Sequence, residues 1–479
     1  MSPILMLAEA FVDAEYQEAL DWLFSRIDYE RRPSGSYTAA TFKLERMAAL
    51  LDELGRPHER IPVVHIAGTK GKGSTAAMTA GILQAAGYQT GLFTSPHLYR
   101  LEERMTVNGR TPSRGDVVRL VDEISEASAR IEQRGPDFSP TFFELTTAMA
   151  WRFFESQHVD LAVLEVGLGG RLDATNLCRP LATIITSISR DHMHLLGESR
   201  ASIAAEKAGI IKPSVPVLSG VTDREAREPI ARRAKEQSAP LYEIGTEIVV
   251  SETTARGGRD NLRPARWSMS VETPWGRHES LQAPLPGEHQ VSNAALAASV
   301  ADLLEREGYE GASAAVRKGL AEVQWPLRIE VVGERPLTIL DAAHNNASIE
   351  ALIETLRPVT TGKRILVFGT SQDKDAAEML RLLQPAFDET ILTQYEGNAR
   401  ALPCGELAGL AAAAGLRNCC CEPSVANALD RAHSLAEPGD LICVTGSFFL
   451  AAEVRRLILD GGGVSDGHYD VSSRPVALT

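Results

Sequence analysis

A short apolar run that stops at a glycine-rich loop constrains the fold of this chain more than any other feature of its sequence. Residues 63–67 (VVHIA) are apolar at four of five positions, residues 68–74 (GTKGKGS) form the loop, and an alanine-rich stretch covers residues 75–86. This order predicts a strand, a phosphate-binding loop and a helix, because glycines let backbone N–H groups turn towards an anion and a helix N-terminus adds partial positive charge. The alternative is a plain glycine turn that carries two solvated lysines.

Units of one strand and one helix recur after the loop. We expect a helix over residues 142–154 and strands at 91–93, 161–166 and 182–188. Strands that alternate with helices predict a doubly wound, mostly parallel sheet. Residues 247–285 change to short alternating segments broken by glycine, proline and asparagine, which predicts a small antiparallel insert.

A second α/β series follows a helix predicted at residues 291–306. Its strands are predicted at 337–340, 364–368, 390–393 and 441–444, which is enough for a smaller Rossmann-like domain. We therefore divide the chain into an N-terminal domain over residues 1–322 and a C-terminal domain over residues 323–460. Residues 461–479 contain little apolar sequence, and we expect them to be a disordered tail.

Composition narrows the compartment and the partners. A chain of 479 residues that is 44% hydrophobic is long enough for two cores. Its net charge of -14 disfavours a nucleic-acid partner. No run approaches the roughly 18 apolar residues of a membrane span, and residues 1–15 do not resemble a signal peptide. We expect a cytoplasmic monomer without a membrane partner, whose six cysteines are reduced thiols.

The order of residues in the loop resembles that of a known superfamily. Gly73 separates Lys72 from Ser74, so the loop departs from the common G-x-x-x-x-G-K-[ST] pattern. It is similar to the G-T-x-G-K-G-S loop of the Mur ligase superfamily, and in particular of its folylpolyglutamate synthase/dihydrofolate synthase branch. Lys70 stands where most relatives have asparagine. The resemblance implies that ATP is bound by all seven loop residues: Gly68, Thr69, Lys70, Gly71, Lys72, Gly73 and Ser74.

Four further residues match positions that hold Mg²⁺ in this family. They are Ser95 of T-S-P-H-L, Glu165 of L-E-V-G-L-G-G-R-L-D-A-T-N, His192 of D-H and Lys207 of E-K-A-G-I, the last of which is carbamylated in relatives. The resemblance implies two Mg²⁺ ions, and a carbamate replaces a repelling cation by oxygen ligands that Mg²⁺ accepts. Taken singly, Glu165 could be a solvated carboxylate, His192 a hydrogen-bonded turn and Lys207 a surface lysine.

Two segments match those that line the folate site in relatives. The first is P-T-F-F-E with Thr141, Phe142, Phe143 and Glu144, and the second holds Leu172, Asp173 and Ala174. Phe142 and Phe143 could stack on a pterin ring, but at the start of a helix they could equally be core residues.

The C-terminal half completes the resemblance, with departures. Asn293 of G-x-H-Q-x-x-N and Arg328 and Asp341 match residues that contact ATP, and His344 is the histidine of D-A-A-H-N. Leu327 and Ala342 occupy positions where relatives usually have glycine. We expect Ala342 to keep an ordinary negative φ, since a left-handed backbone would strain its β-carbon.

Together these motifs imply a ligase that joins L-glutamate to a folate or to dihydropteroate. A carboxylate is a poor electrophile, so we expect ATP to activate it as an acyl phosphate, with Lys72, Lys207 and His344 as catalytic residues. Two alternatives remain open. One is a Mur-type amino-acid ligase of peptidoglycan precursors, and the other is a nucleotide-binding protein without ligase turnover.

Overall fold

The computed structural model describes residues 3–30, 42–191, 193–256 and 262–459 of this chain. Within them the contacts define two compact units. The first comprises residues up to 253 together with 268–284 and 290–324, and the second comprises 254–267, 285–289 and the chain from 325 onwards. Two short segments before residue 325, 254–267 and 285–289, belong to the second unit, so the units are not divided at a single point of the chain. The predicted boundary at 322/323 stays a prediction. The predicted disordered tail, 461–479, lies outside the described residues.

The described elements alternate between helix and strand over most of the chain. The helices are α1 (Pro3–Phe24), α2 (Leu44–Glu53), α3 (Lys72–Ala85), α4 (Arg114–Glu132), α5 (Phe142–Ser156), α6 (Met193–Leu196), α7 (Arg200–Ala208), α8 (Arg224–Glu236), α9 (His289–Arg306), α10 (Ala312–Glu322), α11 (Asn346–Leu356), α12 (Ala376–Leu383), α13 (Cys404–Ala413), α14 (Val425–Leu435) and α15 (Phe448–Leu459). Short 3₁₀ turns lie at Pro57–Glu59, Leu101–Arg104, Pro136–Phe138, Ala174–Leu177 and Gln384–Ala386.

The strands form three sheets. They are β1 (Val63–Ala67), β2 (Thr90–Phe93), β3 (Met105–Val107), β4 (Leu161–Glu165), β5 (Ala182–Ile185), β6 (Val217–Ser219), β7 (Leu241–Glu243), β8 (Val249–Arg256), β9 (Arg266–Glu272), β10 (Arg277–Gln282), β11 (Glu330–Glu334), β12 (Leu337–Leu340), β13 (Arg364–Phe368), β14 (Glu389–Leu392), β15 (Cys419–Cys421) and β16 (Leu441–Thr445).

The largest sheet positions the candidate site. Over the described residues its strand order is β3-β2-β4-β1-β5-β6-β7, and every neighbouring pair is parallel except β2 with the edge strand β3. All five residues of β1 and all five of β4 are buried. Strands covered on both faces are apolar throughout, which is why the short apolar runs were informative. The carboxyl ends of β2, β4, β1 and β5 meet at one edge, where such sheets bind ligands.

Two smaller sheets complete the fold. β8, β9 and β10 form a three-stranded sheet in which β9 and β10 are antiparallel. The second unit holds a six-stranded sheet of order β11-β12-β16-β13-β14-β15, parallel except for β11 with β12. The predicted fold class is confirmed: a doubly wound sheet with an antiparallel insert, then a smaller α/β unit.

Two local expectations differ from the structure. β5 ends at Ile185 rather than at residue 188, because the chain turns there towards the phosphate loop and Ser187 O accepts the N–H of Thr69 at 2.7 Å. The prediction of six thiols is wrong for two cysteines, since Cys404 and Cys421 form a disulfide. Cys404 begins α13, which packs beside β15, so their Cα atoms lie 6.2 Å apart, within the span of a disulfide.

None of the described helices is both long enough and apolar enough to cross a membrane.

Candidate active site at the strand ends of the first unit

The phosphate loop lies between β1 and α3, as predicted. Gly71 precedes the first turn of α3 with φ +84°, and a β-carbon there would lie 2.3 Å from Oδ1 of Asn293. A β-carbon on Gly68 would lie 1.9 Å from Oγ1 of Thr186. Only glycine fits this closely, so the loop has no room for side chains at these two positions. Asn293, predicted to contact ATP, is thereby brought against the loop.

The segment after β5 holds the loop in place. The carbonyl of Lys70 accepts hydrogen bonds from the hydroxyls of Thr186 at 2.6 Å and Ser187 at 3.0 Å, and the Lys70 N–H donates to the Ser187 hydroxyl at 3.1 Å. The Lys70 ammonium lies 3.3 Å from Oδ2 of Asp191. The loop backbone is therefore fixed to the neighbouring strand end. A plain solvated glycine turn does not describe it.

Lys72, Glu165 and Ser95 come together beside the loop. Nζ of Lys72 lies 3.9 Å from Oε1 of Glu165, and the backbone N–H of Ser95 donates to Oε2 of the same carboxylate at 3.3 Å. Glu165 is only 6% exposed, so the alternative of a solvated carboxylate is excluded. A hydroxyl and a carboxylate next to a phosphate loop are hard oxygen donors of the kind that Mg²⁺ prefers.

Lys207 is buried near these groups. It lies on α7 and is 5% exposed, which excludes the surface-lysine alternative. Burial, with a further contribution from the Lys72 ammonium, lowers the pKa of Lys207 to about 7. Close to neutral pH, a large share of this side chain is therefore an uncharged amine.

The predicted metal set is only partly within the described residues. His192 lies outside them, so its predicted role as a metal ligand stays a prediction. In the part of the chain that the structure describes, no group of three or more histidine, cysteine, aspartate or glutamate side chains is placed to hold a metal ion. Of the predicted ligands, Ser95 and Glu165 lie together within that part, and their metal binding, like that of Lys207, stays a prediction.

Both carboxylate oxygens of Asp173 accept hydrogen bonds from nearby residues of the same chain segment. Oδ2 accepts the N–H of Leu168 at 2.9 Å, and Oδ1 accepts the N–H of Thr175 at 3.0 Å and its hydroxyl at 2.5 Å. Burial raises the pKa of Asp173, while these hydrogen bonds oppose the rise. Of the three residues predicted to bind folate here, Asp173 and Ala174 are buried and Leu172 is half-buried.

The P-T-F-F-E segment begins α5 with a capping box. Oε2 of Glu144 accepts from the N–H and hydroxyl of Thr141 and, at 2.7 Å, from Nε of Arg46. Phe142 is fully buried and its ring stacks on Phe24 at 5.6 Å, so the core alternative describes it. Phe143 is half-buried and also packs against this core, with its ring centroid 6.0 Å from that of Phe93. Folate binding by these residues stays a prediction.

The second unit carries the remaining predicted residues. Asp341 accepts the N–H of Ile329 at 3.0 Å and that of Ala343 at 2.9 Å, which ties the W-P-L-R turn to the end of β12. Arg328 Nη1 donates to the carbonyl of Leu327 at 3.2 Å. Nδ1 of His344 lies 2.9 Å from the carbonyl of Ala342. If Nδ1 carries the ring proton and donates it to this carbonyl, Nε2 is the hydrogen-bond acceptor of the His344 ring.

The two departures from glycine differ in their backbone. Ala342 is not among the residues with positive φ, so the expectation of an ordinary φ is confirmed. Leu327, in contrast, adopts φ +58° and is fully buried. Its side chain is held in the core by a backbone conformation that L-residues adopt at a cost.

Comparisons with known proteins decide the family. The model of the Mur ligase middle domain matches residues 66–301, and that of the Mur ligase glutamate ligase domain matches residues 327–448. The dihydrofolate synthase/folylpolyglutamate synthase of Bacillus subtilis is 35% identical over 445 residues, which cover 92% of this chain and 98% of that protein. The chain belongs to the folylpolyglutamate synthase/dihydrofolate synthase family. It is thus an enzyme of the ligase class.

Solved structures of the folylpolyglutamate synthase/dihydrofolate synthase family agree with this fold. Folylpolyglutamate synthase of Mycobacterium tuberculosis, complexed with ADP and AMPPCP, superposes with a TM-score of 0.83 at 32% identity, covering 93% of this chain and 99% of that chain. FolC of Escherichia coli, in complex with DHPP and ADP, gives a TM-score of 0.79 at 33% identity, covering 92% and 98%.

Three residues that support the predicted site segments were not predicted from the sequence. Asp191 pairs with Lys70 of the loop, His65 contacts Thr175, and Arg46 contacts Glu144. The signal for His65 is present in the sequence, since it is the one polar residue in an otherwise apolar run. Nothing local marks Arg46, because its partner Glu144 is 98 residues away.

Proposed function

We propose that this protein is an ATP-dependent ligase that adds L-glutamate to folates, extending tetrahydrofolate and also converting dihydropteroate to dihydrofolate. The observation that carries the proposal is the meeting of a phosphate loop, the Glu165 carboxylate and the buried Lys207 at one sheet edge. The M. tuberculosis and E. coli proteins were solved with ADP, which supports ATP as the co-substrate. The double name of the B. subtilis relative supports both reactions.

In the first step a carboxylate oxygen of the substrate attacks the γ-phosphorus of ATP, and ADP leaves. Two anions must approach each other, so fixed cations lower the barrier most where charge moves. Lys72 is the loop cation assigned to the β- and γ-phosphates, and the N–H groups at the start of α3 assist it. The remaining loop residues, from Gly68 to Ser74, shape the cradle. Asn293, beside Gly71, is assigned to the adenine end of the nucleotide.

Ser95 and Glu165 are the residues that would hold one Mg²⁺, and Glu165, His192 and a carbamylated Lys207 are those that would hold a second. The ions, when bound, supply charge neutralisation on the phosphate oxygens. The lowered pKa of Lys207 supports the carbamate, because only the neutral amine adds to CO₂. In that reaction the amine nitrogen bonds to the carbon of CO₂ and one proton is released to solvent.

In the second step the amine of L-glutamate attacks the acyl phosphate, and phosphate leaves as the amide forms. His344 is the catalytic candidate of the second unit, while Arg328 and Asp341 are assigned to ATP. In the first unit, Phe143 and Leu172 are the half-buried members of the two proposed folate segments. We place the enzyme in the cytoplasm as a monomer.

Phosphate release on addition of L-glutamate tests the proposal. Purified enzyme with ATP and Mg²⁺ is assayed with tetrahydrofolate, dihydropteroate and a muramyl-peptide precursor as separate acceptors. We expect glutamate-dependent release with both pteridine substrates and none with the muramyl compound. Release with the muramyl compound alone would replace the proposal by the peptidoglycan alternative, and no release with any acceptor would favour a nucleotide-binding protein.

A further inference from the structure

The two lysines of the phosphate loop each face a buried carboxylate from a neighbouring strand end. Lys70 lies 3.3 Å from Asp191, whose side chain is 9% exposed, and Lys72 lies 3.9 Å from Glu165, whose side chain is 7% exposed. Asp191 follows β5, whereas Glu165 ends β4. Lys72 belongs to the mechanism proposed above. The Lys70–Asp191 pair has no role in it.

We propose that Lys70 and Asp191 exchange partners when nucleotide binds, so that the loop accepts nucleotide together with a divalent cation and disfavours free nucleotide. This inference rests on the proposed nucleotide site and names two further residues that determine its specificity.

Separating the Lys70–Asp191 pair costs free energy. A phosphate that enters the loop attracts the Lys70 ammonium but repels the Asp191 carboxylate. A buried carboxylate that loses its cation is strongly destabilised, because little water is present to replace the interaction. A divalent cation that arrives with the phosphate restores the balance, since it offers Asp191 a positive partner while Lys70 turns to the phosphate. Free nucleotide supplies no such partner.

The backbone of Lys70 is held by hydrogen bonds, so we expect the exchange of partners to involve its side chain. Its N–H and carbonyl are both held by Ser187, and its carbonyl also by Thr186. Thr69 adds two contacts to the same segment, donating its N–H to Ser187 O and its hydroxyl to Ser189 O. These hydrogen bonds join the loop to the segment after β5, and the Lys70 ammonium lies 3.3 Å from the Asp191 carboxylate further along that segment.

The other charged groups around the Lys70–Asp191 pair also support an exchange of partners. The Lys207 side chain is buried nearby, and the charges of Lys72, Asp191, Lys70 and Asp173 all act on its pKa. The two loop ammonium groups thus lie within one cluster of little-exposed carboxylates, so a carboxylate that loses its lysine is left with excess negative charge nearby. An uncharged side chain at position 70 would have no charge to exchange, so the exchange requires the lysine.

The test is a double-variant cycle read by nucleotide binding rather than by turnover. The dissociation constant of ATP is measured by calorimetry in excess Mg²⁺ and in EDTA, and the ratio of the EDTA value to the Mg²⁺ value is compared between proteins. The proteins are wild type, Lys70→Asn, Asp191→Asn and the double variant. Asp223→Asn is the matched control, because it removes one carboxylate from the Arg200–Asp223 ion pair at the start of α8.

Asp191→Asn is expected to tighten binding in EDTA and to lower the ratio by about tenfold or more, because a negative charge beside the incoming phosphates is removed. In the Lys70→Asn background the same change should have a clearly smaller effect, which is the coupling expected of a pair. The ratio for Asp223→Asn should stay within about twofold of wild type, the size expected for distant surface charges.

An unchanged ratio in Asp191→Asn, or single effects that simply multiply in the double variant, would overturn the exchange. Circular dichroism and thermal unfolding of each variant identify misfolded protein. If binding is lost through misfolding, Asp191→Glu, which keeps the charge, serves as the second test and should preserve the wild-type ratio. Glutamylation of tetrahydrofolate and of dihydropteroate by the wild-type enzyme is measured in parallel. If the wild type turns over but Asp191→Asn leaves the ratio of dissociation constants unchanged, only the exchange of partners is rejected. If the wild type turns over neither acceptor, the proposed function is rejected.

Discussion

Nε2 of His65 lies 2.9 Å from the hydroxyl oxygen of Thr175, which joins the middle of β1 to the segment that follows β4. The Thr175 hydroxyl donates to Asp173, so His65 must donate its Nε2–H to Thr175. Nδ1 is then an acceptor that is buried without a hydrogen-bond partner among the described residues. Burial, with a smaller effect of Lys212, lowers the pKa of His65 to about 3. The imidazole is therefore neutral in the folded protein.

This neutral histidine predicts acid sensitivity. The pKa of His65 is lower in the folded than in the unfolded chain, so the unfolded chain binds the extra proton between pH 6.5 and about 3. The stabilisation is complete above pH 6.5 and is lost as the pH falls towards 3. His65→Gln keeps an N–H donor without titrating, so from pH 7 to 4.5 it should lose about 2 to 3 kcal/mol less stability than wild type.

Denaturant unfolding at both pH values measures the difference. The control is His158→Asn, which removes an exposed histidine whose φ of +50° asparagine tolerates. Equal acid losses in wild type and His65→Gln would contradict a buried neutral imidazole.

The left-handed backbone at Leu327 predicts that a glycine variant is more stable than an alanine variant, the reverse of the usual order. Leu327→Ala and Leu327→Gly both remove a fully buried side chain and should both destabilise by several kcal/mol. Only glycine also relieves the φ of +58°, so Leu327→Gly should be about 1 kcal/mol more stable than Leu327→Ala. Urea unfolding compares them. Ala342→Gly is the control and should not stabilise, and an alanine variant at 327 more stable than the glycine variant would argue against this backbone.

Lys72 should matter for turnover and not for folding. Lys72→Ala removes a fixed cation from the phosphoryl-transfer site and is expected to lower kcat by roughly 10²-fold or more. Initial rates at saturating ATP give the value, and circular dichroism checks the fold. Turnover close to wild type would remove this lysine from the mechanism.

The carbamate at Lys207 predicts chemical rescue. Lys207→Ala should lose activity because an oxygen ligand is missing, and a short carboxylic acid in the buffer should restore part of it by filling the vacated position. Lys207→Met, which fills the space, is the control that should resist rescue. Intact-mass evidence for unmodified Lys207 in the active Mg²⁺ complex would count against the carbamate.

The sequence predicted what depends on periodicity and short motifs. β1, β12 and β13 begin and end where expected, because strands in the interior of a parallel sheet are mostly apolar. Contacts between distant segments were not predictable in the same way. The burial of Lys207 depends on packing of α7, and the pairing of Lys70 with Asp191 depends on where β5 ends. The hydrogen bonds of both Asp173 oxygens within its own segment were likewise not predictable from the motif, and folate binding by Asp173 stays a prediction.

Transfer of an oxygen atom tests the central claim most directly. Tetrahydrofolate whose terminal carboxylate carries ¹⁸O is incubated with the enzyme, ATP, Mg²⁺ and L-glutamate, and the released phosphate is analysed by mass spectrometry. An acyl phosphate places one carboxylate oxygen between carbon and phosphorus, and that oxygen leaves with phosphate when the amine attacks. We predict one ¹⁸O atom in each phosphate released alongside glutamylated product. Unlabelled phosphate, or label found in AMP, would contradict the account.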